Sequence, residues 1–355
     1  MDLRYIPIFA AGFVGGSCAY LINAPMPFLL GGILGTAMFV LWYEREDKQL
    51  PQLTRWVRLV FMSIIGTMIG SRFTADHLTL IPQFWVSALA LIPFILLAHG
   101  GNFVIMRYIG RFTRLDAYYA ALPGGIMDSA ALAEEAGADV RVVTAQHFVR
   151  IILVVASVPL LFLVIQGNAV GSLAGESMAA TEYGARDITL ILAIALAGLM
   201  FGRLTRLPVP HMLGPLVFAL VLSVSGLVSV GFPDWLTHLA QYMIGTALGA
   251  QFSGLSRRLL LRGLWIGLLV GAYMLGLGAG IALILVNVVP AEFPPLFVSF
   301  AAGGLAEMSL IALSLNFNPV VVALHHLVRI LMTVSIGAFM AKHIFNLHSK
   351  PNHDV

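Results

Sequence analysis

Apolar residues in this chain run in near-continuous blocks with short polar interruptions, at 5–22, 26–43, 57–73, 83–106, 142–166, 187–204, 208–229, 236–254, 263–289 and 320–342. A block of about 20 apolar residues, coiled as an α-helix, matches the hydrocarbon thickness of a bilayer, so the pattern predicts ten membrane spans. Two further segments, 115–137 and 295–316, depart from it. Each begins apolar and then carries a glycine pair with acidic and polar residues behind it: Gly124–Gly125 with Asp128 and Ser129, and Gly303–Gly304 with Glu307 and Ser309. Irregular polar backbone is stable at membrane depth only where protein buries it, which predicts two re-entrant hairpins. The expected class is an all-α integral membrane protein.

Composition agrees and narrows the function classes. Of the residues, 59% are apolar and 10% charged, against about 25% charged in a soluble domain. A net charge of +3 gives no basic surface for nucleic acid. Cys18 is the single cysteine, which excludes intramolecular disulfides and a thiolate zinc site. The first block, behind Met1 to Arg4, has the outline of a secretory signal. It reads as a span, because the repeat described next uses it.

The chain is an internal duplication. Ile65, Gly66, Thr67, Gly70 and Phe73 return as Ile244, Gly245, Thr246, Gly249 and Phe252; the offset, 245 minus 66, is 179. The hairpin glycines and the blocks QHFVRI at 146–151 and HHLVRI at 325–330 keep that offset. Nearer the start, Pro25, Pro27, Leu30 and Gly31 match Pro208, Pro210, Leu213 and Gly214 at 183. The extra residues fall in a longer charged loop, 44–58, of the first half. The expected units are repeats 1–166 and 187–345, a linker 167–186 rich in small residues, and a tail 346–355.

Basic residues gather in cytoplasmic loops. They occur at Arg45, Lys48, Arg55 and Arg58, at Arg107, Arg111 and Arg114, at Arg203 and Arg206, at Arg257, Arg258 and Arg262, and at Lys342 and Lys350. The segments 74–82, 167–185, 231–237 and 290–295 carry none. The alternation closes only if each half has five spans plus one hairpin. An odd span count inverts the second half relative to the first and puts both termini in the cytoplasm. Inverted repeats of this kind are typical of secondary transporters, with the site at the repeat interface.

The candidate chemistry sits in the repeated blocks. Arg150 is eight residues beyond Val142 and Arg329 nine beyond Val320, so at 1.5 Å per residue they lie about 12 and 14 Å deep. Arginine near the midplane costs about 2.5–3.5 kcal/mol on insertion scales unless paired or hydrated. Asp128 and Glu307, each four residues after the first hairpin glycine, are the expected partners, either as structural salt bridges or as groups released when an anion arrives. His147 and His326 stand three residues before each arginine on the same helical face. They can carry protons or donate to backbone carbonyls. The glycine pairs leave room for chain reversal and ligand approach, and Ser129 and Ser309 can supply hydroxyls or cap the hairpin. Gly66 to Gly70 and Gly245 to Gly249 are small-residue packing faces. Adjacent His325 and His326 point about 100° apart on a helix, so no metal site is expected.

The PGGIMDSAALAEEAGADVRVV block, followed by QHFVRI or HHLVRI, resembles the bacterial membrane family called AbrB duplication, over essentially the whole chain. Its members are variously labelled transcriptional regulators of the AbrB family or ammonia monooxygenases. The resemblance implies an inner-membrane protein of two homologous halves. At the level of fold it is similar to inverted-repeat carriers such as the 2-hydroxycarboxylate and glutamate symporters, whose glycine-pair hairpins meet at the substrate site.

The resulting expectation is a secondary transporter of a small organic anion, coupled to Na⁺ or H⁺ and working by alternating access. It is not expected to be an enzyme or to hold a cofactor, and a homodimer is an allowed assembly. Substrate would be held by Gly124, Gly125, Ser129, Arg150, Gly303, Gly304, Ser309 and Arg329. Asp128, Glu307, His147 and His326 would couple the ion. The competing readings are a membrane sensor of a metabolite that affects gene expression, for which loop 44–58 is a short output surface, and a membrane oxygenase, for which no ligand cluster is visible. Opposed halves make a direct prediction. Single cysteines at Ser129 and Ser309, in a Cys18→Ala background, should react with impermeant thiol reagents from opposite sides of the membrane. Labelling of both from one side contradicts the inversion.

Overall fold

The computed structural model describes residues 5–44, 55–71, 84–166, 184–207, 209–254, 257–315, 317 and 319–343, and among these every regular element is helical. The loop 74–82, most of the linker 167–186, the basic residues Arg45, Lys48, Arg257 and Arg258 as side chains, and the tail 346–355 lie outside the described residues. In chain order the first half supplies α1 (Ile6–Leu21), α2 (Pro27–Tyr43), α3 (Arg55–Ser71), α4 (Phe84–Leu89), α5 (Leu91–Val104), α6 (Arg114–Ala120), α7 (Ile126–Glu135) and α8 (Val140–Gln166). The second half supplies α9 (Ala185–Leu204), α10 (Pro210–Val224), α11 (Asp234–Gly249), α12 (Arg257–Leu285), α13 (Phe293–Phe300), α14 (Leu305–Ser314) and α15 (Pro319–His343).

Among the described residues, five stretches are long and apolar enough to cross a membrane: Phe84–Ile109, Val140–Ile165, Ala185–Leu204, Gly263–Leu285 and Val321–Lys342. The protein is therefore a helical protein of membrane type. The other predicted spans fold as shorter helices. α1 has 16 residues and α2 has 17, about 24–26 Å at the α-helical rise, so they fall short of a hydrocarbon core of about 30 Å. Pro93 explains the break between α4 and α5. A proline lacks the N–H and crowds the carbonyl four residues back, here Leu89, the last residue of α4. Gly276, Gly278 and Gly280 lie within the unbroken α12.

The chain forms two compact units, and each draws on both halves of the sequence. One comprises Met1–Pro82, Ala156–Gly254 and Ala306–Val320. In it α1 packs on α2 and α9 on α10, while α3 packs on α10 and α11 on α2. The third helix of each half thus pairs with the second helix of the other. Glycines permit the approach. A Cβ on Gly66 would collide with the carbonyl oxygen of Met212, and one on Gly245 with that of Leu29. Gly70 meets Leu216 and Gly249 meets Ile33 in the same way. Met212 and Leu29 are 183 apart, as are Leu216 and Ile33, so the contacts reproduce the sequence offsets. Within each half, Gly15 faces Gly31 and Gly198 faces Gly214.

Backbone strain repeats at the same offset. Asn23 (φ 52°) and Arg206 (φ 54°) are left-handed, as are Met26 (φ 43°) and Val209 (φ 49°), each of the latter just before a proline that opens a helix, Pro27 or Pro210. A β-branched residue such as Val209 is a genuine outlier there. Proline fixes φ for the first helical turn and has no N–H to leave unsatisfied at that end.

The other unit comprises Gln83–Val155, Leu255–Leu305 and Val321–Val355. Here α12 packs on α5 and α13, and α6 packs on α5 and α7.

If close approach at glycine holds the first unit together, Gly66→Val and Gly245→Val should each lower stability by about 1–3 kcal/mol, the range for overpacking. Gly100 on α5 has open space at its Cβ position, so Gly100→Ala should gain about 0.5–1 kcal/mol. Unfolding midpoints of the purified protein in detergent test both.

Candidate functional site

The site is built around the first glycine-pair segment. Thr113 caps α6, accepting from the backbone N–H of Asp116 at 3.1 Å while its hydroxyl donates to Asp116 Oδ2 at 2.6 Å. Asp116 Oδ1 then accepts from the backbone N–H of Asp139 at 2.8 Å. Asp116 precedes the glycine pair and Asp139 follows α7, so the two ends of this segment meet. Gly137, with φ of +76°, lets the chain leave α7, and Asp139 Oδ1 caps α8 through the N–H of Arg141 at 2.9 Å. Glu134, Glu135, Asp139 and Arg141 are exposed.

The tip between α6 and α7 is held by Arg150 of α8. Its Nη1 donates to the carbonyl of Leu122 at 2.7 Å and its Nη2 to that of Gly124 at 3.3 Å. The second half repeats this. Arg329 of α15 donates through Nη1 to Ala301 at 3.0 Å and through Nη2 to Gly303 at 2.8 Å. Ala301 and Gly303 are Leu122 and Gly124 displaced by 179. Both carbonyl pairs follow the C-terminal ends of short helices, α6 and α13, where the helix dipole favours a cation.

These bonds correct the expected ion pairs. The partners of both arginines are carbonyl oxygens and not the carboxylates of Asp128 and Glu307. Asp128 is exposed on the first turn of α7, with Oδ2 only 2.6 Å from the Cβ position of Gly125. Its spacing behind the glycines reflects its place at a helix N-terminus, where an acid is favourable. Glu307, in the first turn of α14, is buried with Ser309, and both fall in the other compact unit. Ser129 is buried on α7.

The first glycine pair serves space more than conformation. Gly125 has φ of −67°, open to any residue, but a Cβ on Gly124 would lie 2.8 Å from Thr333 Cγ2.

Arg150 and Arg329 are 1% and 2% exposed, and their guanidinium groups are near enough to repel each other. Nε of each has no hydrogen-bond partner. His147 donates from Nδ1 to the carbonyl of Val143 at 3.0 Å, and its buried ring also lies close to the carbonyl of Leu122. His326 is fully buried with both ring nitrogens unpartnered. The neighbouring His325 is committed elsewhere, to Val321 O at 2.8 Å and Ser87 Oγ at 2.9 Å. No group of three His, Cys, Asp or Glu suited to a metal ion occurs among the described residues.

Several contributors escaped the sequence reading. The carbonyls of Leu122 and Ala301 have no side-chain signature. Gln146, fully buried with both amide atoms unpartnered, lay inside the block QHFVRI and its repeated position was the available signal. Thr333, buried with an unpartnered hydroxyl, lies four residues beyond Arg329.

Residues 28–345 match the model of the family described as transition state regulatory protein AbrB. A relative in Bacillus subtilis (strain 168), named "Uncharacterized protein YhjN", is 24% identical over 98% of this chain and 94% of its own length. Another in Escherichia coli (strain K12), named "Putative regulator AbrB", is 26% identical over 91% of each chain.

The guanidinium geometry predicts that Arg150→Lys, which cannot bridge two carbonyls, loses at least one charge-assisted bond and about 1.5–3 kcal/mol. Asp128→Asn should change stability by less than about 0.5 kcal/mol, as an exposed substitution does, and should not rescue Arg150→Gln. Detergent unfolding of the three variants and the Asp128→Asn, Arg150→Gln double variant measures this. Rescue in the double variant would restore the ion pair.

Proposed function

The chain belongs to the AbrB family, and we propose that it is a secondary active transporter that carries a small organic anion across the membrane by alternating access. One observation carries the reading. Two buried guanidinium groups lie near enough to act on each other electrostatically, and among the described residues their partners are carbonyls rather than carboxylates, with Nε of each left without a hydrogen-bond partner. Two like charges in a low-dielectric interior repel strongly, and an anion accepting from both relieves that repulsion. Arginine suits this role because its rigid fork donates to carboxylate oxygens while its charge stays fixed.

The transporter reading also rests on two inverted repeats, 1–166 and 187–345, each of five spans and one hairpin. Reciprocal pairing of α3 with α10 and α11 with α2 supports a duplication built about a pseudo-twofold axis. The bond between Asp116 and Asp139 supports a first segment that enters and leaves on one side. The basic-residue pattern supports an inner-membrane location with cytoplasmic termini.

For the coupling ion, the arrangement favours a proton over Na⁺ at the tips. In hairpin carriers, unwound carbonyls and helix C-termini coordinate the cation. Here those carbonyls already accept from arginine. His147 and His326, three residues before each arginine on the same helices, supply buried imidazoles that can take up a proton.

A regulatory reading draws on the name of the Escherichia coli relative. A metabolite sensor can use the same anion site without moving its ligand. Purified protein in liposomes, given labelled small carboxylates under an inward proton gradient, separates the two. Uptake of at least one acid, reduced at least tenfold by Arg150→Gln and by Arg329→Gln, is expected. Acids that raise the unfolding midpoint but are never accumulated would favour the sensor. Uptake indifferent to both arginines would overturn the site.

A further inference from the structure

The hairpin-bearing unit holds a second group of unpartnered polar atoms that the arginine site does not use. His99 and Asn102 stand three residues apart on α5 and share a face. Asn102 is fully buried and His99 is 4% exposed. Asn102 Nδ2 donates to the carbonyl of Ala121 at 3.2 Å and lies 3.2 Å from Met274 Sδ, while its Oδ1 has no partner. The His99 ring stands edge-on to Tyr118 with centroids 4.6 Å apart and lies close to the carbonyl of Ala121, but neither ring nitrogen makes a close, well-aligned hydrogen bond. Tyr118 is itself anchored, its hydroxyl donating to the carbonyl of Gly337 at 2.7 Å.

This face meets the same tip that Arg150 holds. Ala121, gripped by Asn102, is followed directly by Leu122, gripped by Arg150. Successive Cα atoms are about 3.8 Å apart, so an amide from α5 and a guanidinium from α8 hold neighbouring carbonyls. The free atoms differ in kind. Arg150 Nε can only donate. A neutral imidazole offers one donor and one acceptor, and Asn102 Oδ1 adds another acceptor. A carboxylate, which only accepts, cannot satisfy His99 and Asn102 together. A group that both donates and accepts can.

The second half has no counterpart. At the offset of 179, His99 and Asn102 correspond to Gly278 and Ile281. The Cβ position of Gly278 lies 3.4 Å from Phe300, which makes an edge-to-face pair with Phe94 at 5.5 Å. At these two positions the second half therefore carries a glycine and an isoleucine where the first carries hydrogen-bonding side chains. A symmetric dianion does not fit that difference.

Taking the anion reading above as its basis, we infer that His99 and Asn102 form a neutral pole of the substrate site, so that the transported anion carries an uncharged donor–acceptor group, a hydroxyl or an amide, apart from its carboxylate. His99 and Asn102 then set specificity, while Arg150 and Arg329 set charge.

Four matched acids test this on the purified full chain: butyrate, 4-hydroxybutyrate, succinamate and succinate. Apparent affinities come from titrating the unfolding midpoint in detergent. The expected result is at least tenfold tighter binding of 4-hydroxybutyrate or succinamate than of butyrate and succinate, and which of the two binds identifies the group. His99→Leu and Asn102→Leu should each bring that ratio close to one. His99→Gln, which keeps a donor and an acceptor, should retain most of it and shows that the position tolerates change. A wild type with no preference for either polar-ended acid overturns the inference. So does a ratio unchanged in His99→Leu and Asn102→Leu, the result expected if water alone occupies these atoms. Arg150→Gln separates the premise from the inference. If it leaves the binding of all four acids intact, the arginine reading fails; if it weakens all four while the leucine variants leave the ratio intact, only the neutral pole fails.

Discussion

A guanidinium that stays charged inside a membrane protein must be surrounded by acceptors, and here the nearest are backbone carbonyls of unwound tips. That constraint organises the second unit. Arg150 and Arg329 each need two acceptors, and two carbonyls that leave regular helix at each tip need donors. Each group satisfies the other's deficit. A carboxylate in the same place would neutralise the arginine and leave little reason for an external anion to bind. With carbonyls as partners the positive charge is solvated but not cancelled. The arrangement holds each tip and leaves the guanidinium charge uncancelled.

The first unit follows a different rule. Its helices approach at glycines whose Cβ positions coincide with carbonyl oxygens of the facing helix. Apolar burial drives helices together weakly when lipid is the alternative, so close van der Waals contact becomes the main source of cohesion. Reciprocal pairing between the halves multiplies that contact and ties the fold to the duplication.

Much of this was legible in the sequence because membrane helices are announced by long apolar blocks and a duplication by repeated spacing. The glycines at 66, 70, 245 and 249 were readable as packing faces, since small residues on one helical face have few other uses. Their partners were not, because pairing of α3 with α10 links residues about 150 positions apart and leaves no local trace. The arginines were visible as charges in apolar surroundings. Their partners were misassigned to Asp128 and Glu307 because sequence displays side chains and hides carbonyls, and because an acid at the first turn of a helix has its own reason to be there. His99 and Asn102 went unnoticed. They lie outside the repeated blocks, and a lone polar residue in a span carries no spacing signal.

The grip of each arginine on its own tip is the central claim, and hydrogen exchange measures it most directly. Peptides covering 118–126 and 297–305 should be protected in the wild type. Arg150→Lys should speed exchange in the first and leave the second unchanged, and Arg329→Lys should do the reverse. Exchange unaltered by either substitution, or altered equally in both tips by one of them, would contradict the account.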